Sequence, residues 1–253
     1  MRRRRIVPVL AGLALLALAG GGIAVGYAGL RHRLDLAGPL DRPIAVVVPH
    51  GDTEAVGEAL RAAGVIDSGR LFRVAAWLTR RSGSLHAAEL AFPAHASLRA
   101  VLAVLRTARP VEHWLTIPEG LTAPQIAALV RHADAATGTV DPPPEGRVLP
   151  QTYSYEYGTP RGALLARGEA AMDQALAAAW AARAPGLPLA NPLEALILAS
   201  IVERETALPE ERPHVAAVYL NRLRLGMRLG ADPTVAYAAS GGTGVLDRKL
   251  TRD

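Results

Sequence analysis

The stretch "NPLEALILASIVERET", Asn191 to Thr206, opens with a helix-start signature and closes on charge. Asn191 can cap, Pro192 suits the first helical position and Glu194 suits the third. Apolar residues then cover almost the whole circumference, which predicts a buried central helix. Glu203 and Glu205 stand two residues apart, about 200° around that helix, so they cannot share one site. Three, four and seven positions before Glu205 lie Val202, Ile201 and Leu198, whereas Glu203 looks back on Ser200, Ala199 and Leu196. A carboxyl held against a greasy surface loses hydration and keeps its proton to higher pH. Such a glutamic acid can protonate a leaving-group oxygen. Thr206 next to Glu205 offers a hydroxyl to orient it. Glu203 and Arg204 read as a solvated pair at the helix end or as packing partners. An acidic residue near a helix end is more often structural than catalytic, so periodicity favours Glu205 over Glu203 without fixing its role.

Downstream, "HVAAVYLNRLRLGMRL" predicts a second helix, and Asp232 before Pro233 in "GADPTVAYA" reads as the N-cap of a short third one. Upstream, a long helix is expected from about Gly162 through "ALLARGEAAMDQALAAAWAARA". "DPPPEG", Asp141 to Gly146, marks a boundary. "RVLPQTYSYEYG" follows it and gathers Tyr153, Tyr155 and Tyr157. Exposed, these rings suit the C–H faces of sugars, and packed inward they suit a domain junction. Further toward the N-terminus a pattern recurs after 69 residues: "VPHGDT" with Leu60 matches "IPEGLT" with Leu129, and "FPAHAS" from Phe92 is a weaker copy with His95 in place of glycine. Each copy reads as strand, tight turn and capped helix, the punctuation of a compact α+β module. Asp52 or Thr53 can cap the first of these helices, and Gly64 can end it.

The chain has 253 residues, half of them hydrophobic, enough for two domains with real cores. The net charge is +5, and Arg2 to Arg5 supply four of it, so the basic balance does not describe a nucleic-acid-binding face. Cysteine is absent, which excludes disulfides, thiolate catalysis and cysteine-ligated zinc. The seven histidines are scattered, with no metal-binding spacing. Residues 6–28 carry no charge over 23 positions, enough helix to cross about 30 Å of hydrocarbon. The arginines before them should stay cytoplasmic and send the rest outward. A cleaved signal peptide is the rival reading, with "ALA" at Ala17 to Ala19 at the cleavage position.

"ASIVERET", "VAAVYLNRLRLGMRL" and "ADPTVAYA", in this order and spacing, resemble the YceG-like (MltG-type) endolytic murein transglycosylases over about fifty consecutive residues. "GVIDSGRLFR", "IPEG" and "EGRVLPQTY" fall colinearly where that family has counterparts. The resemblance implies an α+β chain with a cytoplasmic tail (1–5), a transmembrane helix (6–28), a linker (29–42), a LysM-like module (43–112) and a mainly helical catalytic domain (113–253). That domain would be incomplete at its C-terminus, because family members continue past "LDRKLTRD". It also implies a single-pass protein of the bacterial inner membrane with its bulk in the periplasm. Its substrate would be the glycan strands of peptidoglycan and its partners peptidoglycan synthases, with no metal, cofactor or nucleic acid. The implied reaction cuts between N-acetylmuramic acid and N-acetylglucosamine inside the strand and leaves a 1,6-anhydro end. Glu205 is implied as the catalytic residue. Where the family usually has Gln and a small polar residue before Asp-Pro-Thr, this chain has Gly230 and Ala231. The alternative reading is a non-catalytic, membrane-anchored peptidoglycan-binding or divisome scaffold.

Overall fold

The computed structural model describes residues 21–243 except 23, 24 and 27. The chain divides into two compact units, Met1–Val111 and Glu112–Asp253. Most of the apolar stretch expected to form an anchor lies outside the described residues. Among the described residues, no helix is long and apolar enough to cross a membrane.

In the first unit, strand β1 (Ile44–Val47) leads into helices α1 (Thr53–Ala62) and α2 (Gly69–Leu78), then strand β2 (Glu89–Phe92) and helix α3 (Leu98–Thr107). The two strands pair antiparallel, with Ile44 opposite Phe92 and Val47 opposite Glu89. Caps set the helix starts. Asp52 Oδ1 accepts the backbone N–H groups of Glu54 and Ala55 at 3.0 and 2.9 Å, and Ser97 Oγ accepts that of Ala100 at 3.3 Å. Leu60, Phe72, Leu90, Phe92, Val101 and Leu105 form the fully buried centre. Residues 28–35 are helical, and Leu34 and Leu40 reach into the same core.

The second unit begins with strand β3 (Glu112–Thr116), helix α4 (Ala123–Arg131) and strand β4 (Thr152–Glu156). It continues through helices α5 (Arg161–Ala181), α6 (Pro192–Glu205), α7 (Arg212–Arg224) and α8 (Asp232–Ala239). Strands β3 and β4 are antiparallel, with Leu115 opposite Tyr153. They share a core with Ile126, Val130, Val148 and Leu164. Gly168 lets α5 come close, because a Cβ there would stand 2.8 Å from the Val148 side chain. A smaller core of Leu198, Ile201, Val202, Tyr219 and Ala231 joins α6, α7 and the turn before α8.

All three expected strand–turn–helix copies are present, as β1–α1, β2–α3 and β3–α4. His95, which replaces glycine in the weaker copy, keeps the left-handed backbone (φ 53°) that Gly120 adopts in the third (φ 74°). Two expectations need correction. Helix α6 is not buried all round: Leu198, Ile201 and Val202 face the core, while Leu193 and Ile197 are exposed. Among the described residues its neighbours pack along one side only, so an apolar circumference did not translate into burial. Asp232 is the first helical residue and not the cap; the cap position is Ala231, with no side-chain cap bond. Of the two readings left open for the tyrosine run, Tyr153 and Tyr155 take the inward one. Both are buried, donating hydrogen bonds to the carbonyls of Leu149 (2.6 Å) and Asp134 (2.5 Å), and only Tyr157 of the three is exposed.

Because Phe72 sits at the centre of the first unit, Phe72→Ala should destabilise it by about 3–5 kcal/mol. Urea unfolding monitored by circular dichroism is the check.

Candidate active site

The candidate site lies where α6 ends. Asn191 Oδ1 accepts the N–H of Glu194 at 3.0 Å, and the Glu194 carboxylate reaches back to Ala190 N at 2.7 Å, so the helix starts at a fixed residue. With the start fixed and Leu198, Ile201 and Val202 turned into the small core, the directions of the last turn follow. Glu203 and Glu205 leave the helix on opposite sides, as their spacing requires.

Glu203 pairs with Arg212 on α7: Nη2 lies 3.0 and 3.1 Å from its two carboxylate oxygens. These side chains are 30% and 40% exposed, so the bridge supplies modest stability, about 1 kcal/mol at most. Arg204, the partner suggested by sequence, lies instead beside Gly120, where a Cβ would come within 3.3 Å of its Cδ. Glu205 is exposed at the helix end, not laid over Leu198 and Ile201. Its partner is Tyr219 of α7, a phenol only 5% exposed. Burial pushes the Tyr219 hydroxyl up from the ordinary tyrosine range. The negative charge of Glu205 and its hydrogen bond push the same way, Asp232 adds to this, and Arg222 opposes it. The phenol therefore stays neutral beside the Glu205 carboxylate at the rim of the small core.

Thr206 does not orient Glu205. Its hydroxyl donates to Glu211 Oε2 at 2.7 Å and accepts the N–H of Leu208 at 3.1 Å. Arg222 Nη1 is tied to the carbonyl of Leu229, and Gly230, with φ 61° and no Cβ, leaves room for it. That contact closes the turn carrying Asp232 toward Tyr219. Glu145 from the "EGR" loop accepts the Ala123 N–H at 3.1 and 3.3 Å, at the start of α4, and its charge helps burial to push the Tyr237 hydroxyl on α8 up. Tyr219, Arg222 and Asp232 had not been assigned to a site from sequence. The available signal was the spacing of Tyr219 and Arg222, three apart on one helix face. The described residues contain no cluster of histidine and carboxylate groups able to hold a metal ion.

The model of the YceG-like family matches residues 46–253. The chain belongs to the YceG-like family. Two relatives named endolytic murein transglycosylase, from the D39 and R6 strains of Streptococcus pneumoniae, are each 28% identical over 278 residues. The alignment takes in 91% of this chain and 49% of theirs, so the chain spans about half the length of the curated relatives it matches. A crystal structure described as a putative yceG-like protein from Listeria monocytogenes is 22% identical, with a TM-score of 0.44 over 83% of this chain and 79% of that one. Within this YceG-like chain the family match takes in both strand–helix units and the whole α6–α8 region.

The geometry at Tyr219 has a spectroscopic consequence. Tyr219 should ionise above the ordinary value of about 10, and Glu205→Gln should move it back part of the way, since burial, the largest cause, remains. A raised folded value means that the native state holds this proton longer than the unfolded chain. The stability it contributes is full below about pH 10 and is lost as pH rises through the shifted value. Ultraviolet phenolate titration of wild type, Glu205→Gln and Tyr219→Phe is the check.

Proposed function

We propose that this chain is a lytic transglycosylase of peptidoglycan, with Glu205 as its single acid–base residue. One observation carries the reading: of the two glutamates at the end of α6, Glu203 is held by Arg212, while Glu205 stands exposed beside a buried phenol. That arrangement leaves a carboxyl oxygen of Glu205 open to a substrate. The kinship with proteins named endolytic murein transglycosylase supplies the substrate class.

In the proposed reaction Glu205 protonates the glycosidic oxygen between N-acetylmuramic acid and N-acetylglucosamine, and the C1–O bond breaks. The Glu205 carboxylate then takes the proton of the muramyl 6-hydroxyl, whose oxygen closes on C1. The enzyme regains its proton, no water is consumed, and a 1,6-anhydro end remains inside what was a continuous strand. The substrate's N-acetyl group stabilises the cation, in place of the second carboxylate used by ordinary glycosidases. Tyr219 holds Glu205 through both proton transfers. Cuts of this kind would end glycan elongation, which makes peptidoglycan synthases natural partners.

The rest of the chain fits delivery to that substrate. Residues 6–28 are proposed as a single-pass anchor in the inner membrane, placing the two units outside the cytoplasm. The strand–helix–helix–strand order of β1, α1, α2 and β2 supports a LysM-like module over residues 43–112.

Digestion of purified peptidoglycan, followed by mass spectrometry, tests the proposal. Wild type should release anhydro-ended fragments, and Glu203→Gln should keep most of this activity. Glu205→Gln should lose a factor of about 10²–10⁴, the usual worth of a general acid–base group. Glycan binding without anhydro products from any variant would instead support the non-catalytic scaffold.

A further inference from the structure

Helix α2 in the first unit carries a surface that neither the core nor the proposed chemistry uses. Phe72, Ala75 and Ala76 bury one side of it. On the opposite side Arg70, Arg73, Val74 and Trp77 follow the i, i+3, i+4, i+7 spacing that puts them on one stripe. Val74, Trp77 and Leu78 are 47%, 62% and 44% exposed. The short 3₁₀ turn Arg80–Ser82 continues the stripe with Arg80 and Arg81. Arg80 stacks its guanidinium over the Trp77 ring at 4.7 Å and donates to the Trp77 carbonyl at 3.1 Å. Arg73 is paired with Glu54 at 3.0 Å, while Arg70, Arg80 and Arg81 form no ion pair among the described residues.

The charge here is local. Residues 69–83 hold four arginines and no acidic residue, and outside this segment and Arg2–Arg5 the chain sums to −3. An indole and two aliphatic side chains flanked by Arg70, Arg80 and Arg81, with Glu54, Glu58 and Asp67 beside Arg70 at one end, match the boundary between lipid headgroups and acyl chains, where the apolar groups sink and the guanidinium groups meet phosphate. The attachment also fits. Residues 28–35 are helical, and Leu30 and Leu34 pack on the core of this unit, so the segment following the proposed anchor is bound directly to the unit that bears α2.

We infer that the α2 face made by Arg70, Val74, Trp77, Leu78, Arg80 and Arg81 docks on an anionic bilayer surface. The inference goes beyond the proposed glycan chemistry; only its supply of a nearby bilayer rests on the anchor at residues 6–28.

Trp77, Trp114 and Trp180 are the chain's tryptophans, so Trp114→Phe/Trp180→Phe leaves Trp77 as the reporter. The full chain would be reconstituted in phosphatidylethanolamine–phosphatidylglycerol vesicles containing lipid brominated near the headgroup. Trp77 emission should be quenched and shifted to the blue. Both effects should be lost in Arg70→Gln/Arg80→Gln/Arg81→Gln and at about 1 M salt, where screening cuts the Debye length to about 3 Å. Carbonate washing reads the anchor separately. A chain that resists carbonate while Trp77 stays unquenched overturns the docking face and leaves the anchor standing. A chain released by carbonate, yet quenched at Trp77 beforehand, supports the face and removes the anchor. Equal quenching in phosphatidylcholine vesicles overturns the charge-based docking. So does a Trp77 response to soluble anionic glycan polymer with none to vesicles.

Discussion

The rotational phase of helix α6 is the constraint on which the site depends. Asn191 and Glu194 fix where the helix begins, and Leu198, Ile201 and Val202 fix which side turns inward. Given those two anchors, the last turn has no freedom left. Glu203 must meet Arg212, and Glu205 must emerge beside Tyr219. A slip of one residue would carry the side chains about 100° around the axis, bury a charge and undo the Glu205–Tyr219 contact.

Most of the architecture could be read from local chemistry. The caps at Asp52, Ser97 and Asn191 are side-chain hydrogen bonds to the chain's own backbone, so a few adjacent residues specify them. The recurring strand–turn–helix units follow from turn residues and apolar spacing in the same way. Helical periodicity favours Glu205 over Glu203 by laying it over Leu198, Ile201 and Val202, but in the structure Glu205 is exposed and Glu203 is the one held in an ion pair.

What could not be read depends on contacts between distant segments. The all-round apolar pattern of α6 suggested complete burial, yet packing covers one face, because burial depends on how many neighbours arrive and not on the helix alone. Tyr153 and Tyr155 share one face of β4 and went inward, where their hydroxyls found carbonyls, whereas the strand ends at Glu156 and leaves Tyr157 outside. Trp114, in the neighbouring strand, is the large aromatic left outside on that sheet. Thr206 found Glu211 rather than the glutamate beside it, a choice made by the turn after α6. Tyr219 joins the site from α7 and Asp232 from the start of α8, and no local pattern announces that convergence.

A single carboxyl group and no water molecule are the central chemical claim, and isotope labelling reads it directly. Peptidoglycan would be cleaved by the wild-type chain in water enriched in oxygen-18, and the new ends analysed by mass spectrometry. Anhydro ends carrying no label are the result expected if the muramyl 6-hydroxyl closes on C1 under the control of Glu205. Labelled reducing ends would mean that water is the nucleophile and that a second activating group exists; they, or the absence of cleavage, would contradict the mechanism.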